Sequence, residues 1–99
     1  MIRHIVLFKL KKNLTAAQKA AVTREFKAAI EALPSEINYI RKVTVMPNLN
    51  PEEDWDICLD SLFDTLDDVR RYSAHPAHIK AASLLREAKD SRACVDIEG

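Results

Sequence analysis

The first strand of this chain constrains the fold most, because it is apolar on both of its faces. Successive residues of a strand point to opposite sides, and one side here carries Ile2, His4, Val6, Phe8 and Leu10. Ile5 and Leu7 lie on the other side. A strand that is apolar on both sides needs cover on both sides. Other structure must therefore pack against this strand on both of its faces.

A helix is predicted over residues 15–33. Thr15 and Gln18 have the spacing of a capping box, and Pro34 is typical of a helix end. Apolar residues recur at helical spacing and predict one buried stripe, which consists of Val22, Phe26, Ala29, Ile30 and Leu33.

The remaining helices and strands are predicted from the periodicity of apolar residues and from residues that end a helix. Strands are predicted over residues 37–46 and 55–63, with Ile40 on the face opposite Val45. A helix capped by Thr65 or Asp64 is expected to stop at His75-Pro76. A further helical stretch over residues 79–88 has Leu84 and Leu85 as apolar anchors, and a last strand covers residues 92–97.

This β-α-β-β-α-β order predicts a single α+β domain over residues 1–99 with a ferredoxin-like fold. Right-handed crossovers place both helical layers on one face of a four-stranded antiparallel sheet. The other face stays bare although it is apolar, and a bare apolar sheet is an interaction surface. We therefore expect a homodimer through the open sheet face. The alternative is a monomer with a poorly covered sheet.

Charge and composition exclude several classes of partner. Fifteen basic residues balance fifteen acidic ones, which argues against a nucleic-acid or anionic-membrane surface. No apolar run is long enough to cross a bilayer, and the start lacks a signal-peptide pattern. The expected location is the cytoplasm. Cys58 and Cys94 are expected to be buried, reduced thiols on strands separated by the first strand.

The segment at residues 72–78, YSAHPAH, is the strongest candidate for a site. A chain that turns at Pro76 can bring His78 back to Tyr72, and a phenol beside an imidazole is a possible proton-transfer pair. The same contact could instead be a structural tie between two helical segments. His4 is either a pocket imidazole or a hydrogen-bonded core residue.

The sequence pattern disfavours both a functional role for His75 and a metal site. The residue before a proline is held extended, where an imidazole can bond to nearby backbone groups. A zinc site made of His75, His78 and His4 conflicts with the break at Pro76, and no carboxylate or cysteine is evident beside them. We therefore expect neither a metal nor a cofactor.

Taken together, these segments resemble the stress-responsive dimeric α/β-barrel (Dabb) family. The resemblance is carried by the opening strand IRHIVLFKL, the helix start from Thr15 to Gln18, the His-Pro-Ala-His stretch at residues 75–78 and the last strand RACVDI. It covers essentially the whole chain. It implies a ferredoxin-like protomer and a homodimer whose two sheets form a central barrel.

The resemblance also implies a location for a site. In one branch of the family, that of olivetolic acid cyclase, linear polyketides are closed by an aldol condensation without metal or organic cofactor. There, a histidine like His78 is the base, a tyrosine like Tyr72 is its partner, and a histidine like His4 lines the same pocket. This chain departs from that branch at Phe26, where the cyclase has a tyrosine and phenylalanine has no hydroxyl.

Three functions remain open from the sequence. The first is a homodimer that binds a small organic ligand through Tyr72, His78 and His4, with Phe26 and His75 as further candidate ligand contacts. The second is a cofactor-independent cyclase, lyase or isomerase in which His78 removes a proton next to a carbonyl and Tyr72 orients it. The third is a structural, stress-protective dimer without a ligand.

Overall fold

The computed structural model describes all residues, 1–99, and has the predicted order of elements. The strands are β1 (Ile2–Leu10), β2 (Lys42–Pro47), β3 (Ile57–Phe63) and β4 (Lys89–Glu98), and the helices are α1 (Ala16–Glu31), α2 (Leu66–Ala74) and α3 (Pro76–Ala82). The sheet order is β2-β3-β1-β4, and every neighbouring pair is antiparallel. The ferredoxin-like α+β fold is thereby confirmed.

The local signals in the sequence set the beginning of α1 and the break after α2. The Thr15 hydroxyl accepts the Gln18 N–H at 3.1 Å, and the Gln18 side chain accepts the Thr15 N–H at 2.8 Å, so the capping box is confirmed. After α1 the chain makes a 3₁₀ turn at Leu33–Ser35. α2 and α3 are separated at His75, as the proline predicts.

Two predictions about apolar positions were wrong. β2 begins only at Lys42, because Ile37 and Ile40 belong to a turn in which the Ile40 N–H donates to the Ile37 carbonyl. Ile40 is therefore buried together with Val45 and does not lie on the opposite face. Leu84 is 41% exposed, whereas its neighbour Leu85 is buried, because a 3₁₀ turn ends the helical segment there.

The core lies between the inner face of the sheet and the helices. Val6, Phe8 and Leu10 project into it from β1, and Phe26 and Ile30 project from α1. The rings of Phe8 and Phe26 meet edge to face with centroids 5.4 Å apart, a favourable aromatic arrangement. This contact holds α1 against the inner face of the sheet.

The outer face of the sheet carries no helix and exposes several apolar side chains beside the Arg3–Asp60 ion pair. Residues that pair directly across strands share a face, and the registers place Leu7 beside Cys58 and Ile5 beside Val95 on this outer side. The most exposed of its large apolar side chains are Val95 at 49%, Ile97 at 41% and Met46 at 39%. No helix in the structure has the length and apolar character to span a membrane.

Candidate functional site

A small cavity lies between the inner face of the sheet and the α2–α3 segment. Its volume is about 90 Å³. The apolar walls include Val6, Phe8, Phe26 and Leu85, and the polar lining consists of His4, Ser73, His78, Lys89 and Arg92. The structure thus brings together three of the side chains that the sequence singled out: His4, Phe26 and His78.

His78 is held by the backbone of the preceding helix. Its Nδ1 lies 3.2 Å from the carbonyl oxygen of Ser73. Because a carbonyl can only accept, Nδ1 carries the hydrogen and Nε2 keeps the lone pair. Burial lowers the pKa of His78, although the hydrogen bond to Ser73 opposes that shift. The neutral ring with a free Nε2 is therefore the favoured form near neutral pH.

Tyr72 is fully buried behind the two imidazoles. Its ring centroid lies 4.3 Å from that of His78 and 6.3 Å from that of His4. The Tyr72 hydroxyl has no hydrogen-bond partner, so the two residues are in ring contact without a phenol–imidazole hydrogen bond. Burial raises the pKa of the phenol, which keeps it protonated and able to donate.

His4 is fixed by the edge strand β4. Its Nδ1 lies 2.6 Å from Asp96 Oδ1, and the Cys94 sulfur lies 3.5 Å from the same nitrogen. A carboxylate accepts, so Nδ1 donates to it. A neutral His4 then presents only an acceptor at Nε2, whereas an imidazolium, whose charge Asp96 would balance, donates from both nitrogens.

Phe26 limits the space in the cavity. Its side chain is buried, packs against the ring of Phe8 and forms part of the cavity wall. Ligand sites usually measure about 300–1,000 Å³, and the cavity here is well below that range. Phe26 therefore lines the cavity without filling it completely, and only a few heavy atoms fit in the space that remains.

His75 lies outside this cavity. Its Nδ1 accepts the N–H of Ala77 at 3.1 Å and thereby caps α3, a role that the neighbouring proline makes possible. The three imidazoles do not form a cluster of metal ligands. The only group of three potential ligands whose donor atoms all lie within 4.8 Å of one another is His4, Cys94 and Asp96.

Cys94 and Asp96 were not predicted from the sequence as neighbours of His4. Cys94 was expected to be a buried thiol of an apolar strand, and that prediction was wrong because the residue is exposed on the edge strand. Partial burial of the sulfur and the nearby Asp96 carboxylate raise the pKa of the Cys94 thiol. The alternation Arg92, Cys94, Asp96 was the available signal, since every second residue of β4 shares a face with His4.

The lowered pKa of His78 predicts a specific loss of stability in acid. The unfolded chain takes up a proton at the ordinary histidine value of 6.5, and the folded chain takes it up only at lower pH. The His78 contribution to the free energy of unfolding is therefore complete above about pH 6.5 and declines as the pH falls towards the folded pKa.

This contribution is measured as the difference between the wild type and His78→Asn in urea unfolding across that pH window. We expect the advantage of the wild type to shrink with falling pH. Parallel curves of the free energy of unfolding against pH for the two proteins would contradict this prediction.

Comparison with known proteins identifies the relatives of the chain. A dimeric protein of ferredoxin-like fold from Bacteroides fragilis is 52% identical, with a TM-score of 0.95 and coverage of 99% of this chain and 95% of that chain. A protein of Streptomyces coelicolor is 32% identical, over 88% of this chain and 89% of its own length. Olivetolic acid cyclase from Cannabis sativa is 23% identical, over 86% of this chain and 83% of its own length.

The model of the stress-responsive A/B barrel domain, Dabb, matches residues 2–99. The match agrees with the sheet order, with the cover of helices on one face only and with the resemblance of the individual motifs. The chain therefore belongs to the Dabb family.

Proposed function

We propose that this protein binds a small organic ligand with a carbonyl or carboxylate oxygen in the cavity between sheet and helices. The observation that carries the proposal is the convergence of His4 and His78 on one small, otherwise largely apolar cavity. Apolar walls with a few convergent polar groups are the usual composition of a ligand site.

The charges around the cavity favour an oxygen-bearing ligand. Lys89 and Arg92 line it, and ammonium and guanidinium groups only donate hydrogen bonds. A carbonyl or carboxylate oxygen fits such donors, whereas an amine does not. The volume of about 90 Å³ is smaller than a 150 Å³ cavity that admits benzene. A longer ligand must therefore extend past the flexible side chains of Lys89 and Arg92.

Replacing His78 should weaken ligand binding selectively. Acetone, butanone, acetate and propionate are suitable probes, titrated into the labelled protein while backbone amide shifts are followed by NMR. We expect shifts around Ser73, His78 and Ala82, and an affinity reduced about tenfold or more in His78→Asn, equivalent to about 1.4 kcal/mol.

The matched control is His75→Asn, which keeps a capping acceptor at the start of α3 and lies outside the cavity. Its titration should match that of the wild type. If no probe shifts the amides around the cavity, the cavity is a packing void. The structural dimer without a ligand would then be the better description.

A second candidate function is proton abstraction next to a carbonyl. The specific observation in its favour is the neutral ring of His78, whose Nε2 is free because Nδ1 bonds to Ser73. A base with its lone pair exposed and a lowered pKa suits this step at neutral pH. In this scheme the Ser73 carbonyl orients the ring of His78, and the buried Tyr72 ring packs against it. The similarity to olivetolic acid cyclase supports the same reaction class.

This second function predicts deuterium exchange at the carbon next to a carbonyl. Butanone in D₂O is the probe, and the exchange is followed by proton NMR. His78→Asn should abolish the protein-dependent exchange, and His75→Asn should leave it unchanged. Exchange that survives in His78→Asn would exclude His78 as the base.

We infer in addition that the protein is a homodimer through the outer face of its sheet. Exposed apolar side chains from several strands form that face, including Val95 and Ile97 of β4 and Met46 of β2. Burying apolar surface gives roughly 25 cal/mol per Å², and a second copy of the same face is the simplest cover. The relative from Bacteroides fragilis is dimeric, which supports a dimer here.

A charge on the outer face should therefore dissociate the dimer. Val95→Asp places an unpaired carboxylate in the inferred interface, where its desolvation is costly. Ile79→Asp is the matched control, because Ile79 is 53% exposed on α3, on the other side of the sheet. Sedimentation equilibrium should show a dimer for the wild type and Ile79→Asp, and a shift to monomer for Val95→Asp. A monomeric wild type would refute the inference.

A further inference from the structure

We propose that His4, Cys94 and Asp96 form a binding site for a zinc-type divalent cation on the β1–β4 side of the sheet. The proposal does not depend on the ligand-binding function, although His4 is common to both. The site also differs from the zinc site of His75, His78 and His4 that was judged unfavourable from the sequence, because neither His75 nor His78 takes part.

The strand register explains why these three side chains meet. His4 of β1 pairs directly with Asp96 of β4, and Cys94 lies two residues earlier on β4, on the same face. The three donor atoms all lie within 4.8 Å of one another. Two antiparallel strands thus hold an imidazole, a thiol and a carboxyl group on a rigid support.

The distance between the His4 nitrogen and the Cys94 sulfur matches that of a tetrahedral site. Zinc bonds of about 2.0–2.3 Å to nitrogen and sulfur place those two ligand atoms roughly 3.5 Å apart. The Cys94 sulfur lies 3.5 Å from His4 Nδ1. The Asp96 oxygen lies nearer to that nitrogen, at 2.6 Å, because the two share a hydrogen bond. The carboxylate must therefore move outward by somewhat less than 1 Å to make room for the ion.

That movement is feasible on this side of the sheet. The Asp96 side chain is 32% exposed, and Cys94 is also exposed on the edge strand. His4 is buried beneath them. The ion can therefore reach the site from solvent through Cys94 and Asp96 and then bind the fixed imidazole, so the site has an entry path.

The protons and charges balance on binding. The Cys94 thiol loses its proton to solvent, and the hydrogen of a neutral His4 moves from Nδ1 to Nε2. One thiolate and one carboxylate then neutralise a divalent ion. Three protein ligands leave one tetrahedral position for water or a small anion.

The combination of a nitrogen, a sulfur and an oxygen ligand determines which metals fit the site. Thiolate sulfur with imidazole nitrogen suits zinc or cobalt(II). Calcium and magnesium prefer all-oxygen sites, and one carboxylate is too few for them. Cobalt(II) is therefore a suitable spectroscopic probe, since it occupies zinc sites and shows a sulfur-to-metal charge-transfer band only when a thiolate binds.

The experiment is a cobalt(II) titration of the chelator-treated, full-length protein under a non-thiol reductant. We expect one equivalent per chain to produce the charge-transfer band and the visible bands of a tetrahedral ion, and zinc to displace it. Cys94→Ser should remove the charge-transfer band. Asp96→Asn should weaken cobalt binding at least about tenfold.

Cys58→Ser is the matched control, because Cys58 is the other cysteine and lies on the outer face of β3. It should keep the wild-type spectrum. Circular dichroism verifies that each variant is folded. Asp96→Asn retains the shape of its side chain and keeps the test decisive if Cys94→Ser does not fold. The proposal is overturned if the wild type gives no charge-transfer band, if Cys94→Ser retains it, or if Asp96→Asn binds cobalt as tightly as the wild type.

Discussion

The pairing of β1 with both β3 and β4 is the constraint on which the rest of the structure depends. As an inner strand of the sheet, β1 directs Val6 and Phe8 into the core on one side and Leu7 outward on the other. The same alternation places His4 on the inner face, opposite Asp96. A slip of one residue in register would turn every one of these side chains to the opposite face. The core, the bare sheet face and the site thus have one structural cause.

The break at His75 determines what the helical layer contributes to the site. Pro76 cannot continue α2, and the His75 ring caps the new helix. The chain therefore restarts so that His78 returns to the Ser73 carbonyl and to the ring of Tyr72. The buried hydroxyl of Tyr72 remains without a partner, which costs about 1–3 kcal/mol.

The sequence predicted what depends on local chemistry and missed what depends on register. The capping box at Thr15 and the stop at Pro76 are signals within a few residues, and both were located correctly. Ile40 was misplaced because a turn, to which strand alternation does not apply, buries it. Cys94 and Asp96 were missed since only the alignment of β4 with β1 shows which of their neighbours they meet.

The proposed cation site shares one imidazole, that of His4, with the cavity. In the metal-free protein a neutral His4 donates from Nδ1 to Asp96 and offers only a lone pair to the cavity. A cation on Nδ1 requires the hydrogen at Nε2, which turns His4 into a donor towards a carbonyl oxygen. Metal and carbonyl ligand would then favour the same tautomer, and coupling between two binding sites is reciprocal. A single strand pairing is enough to connect the two, because Asp96 and Cys94 reach His4 from β4 alone.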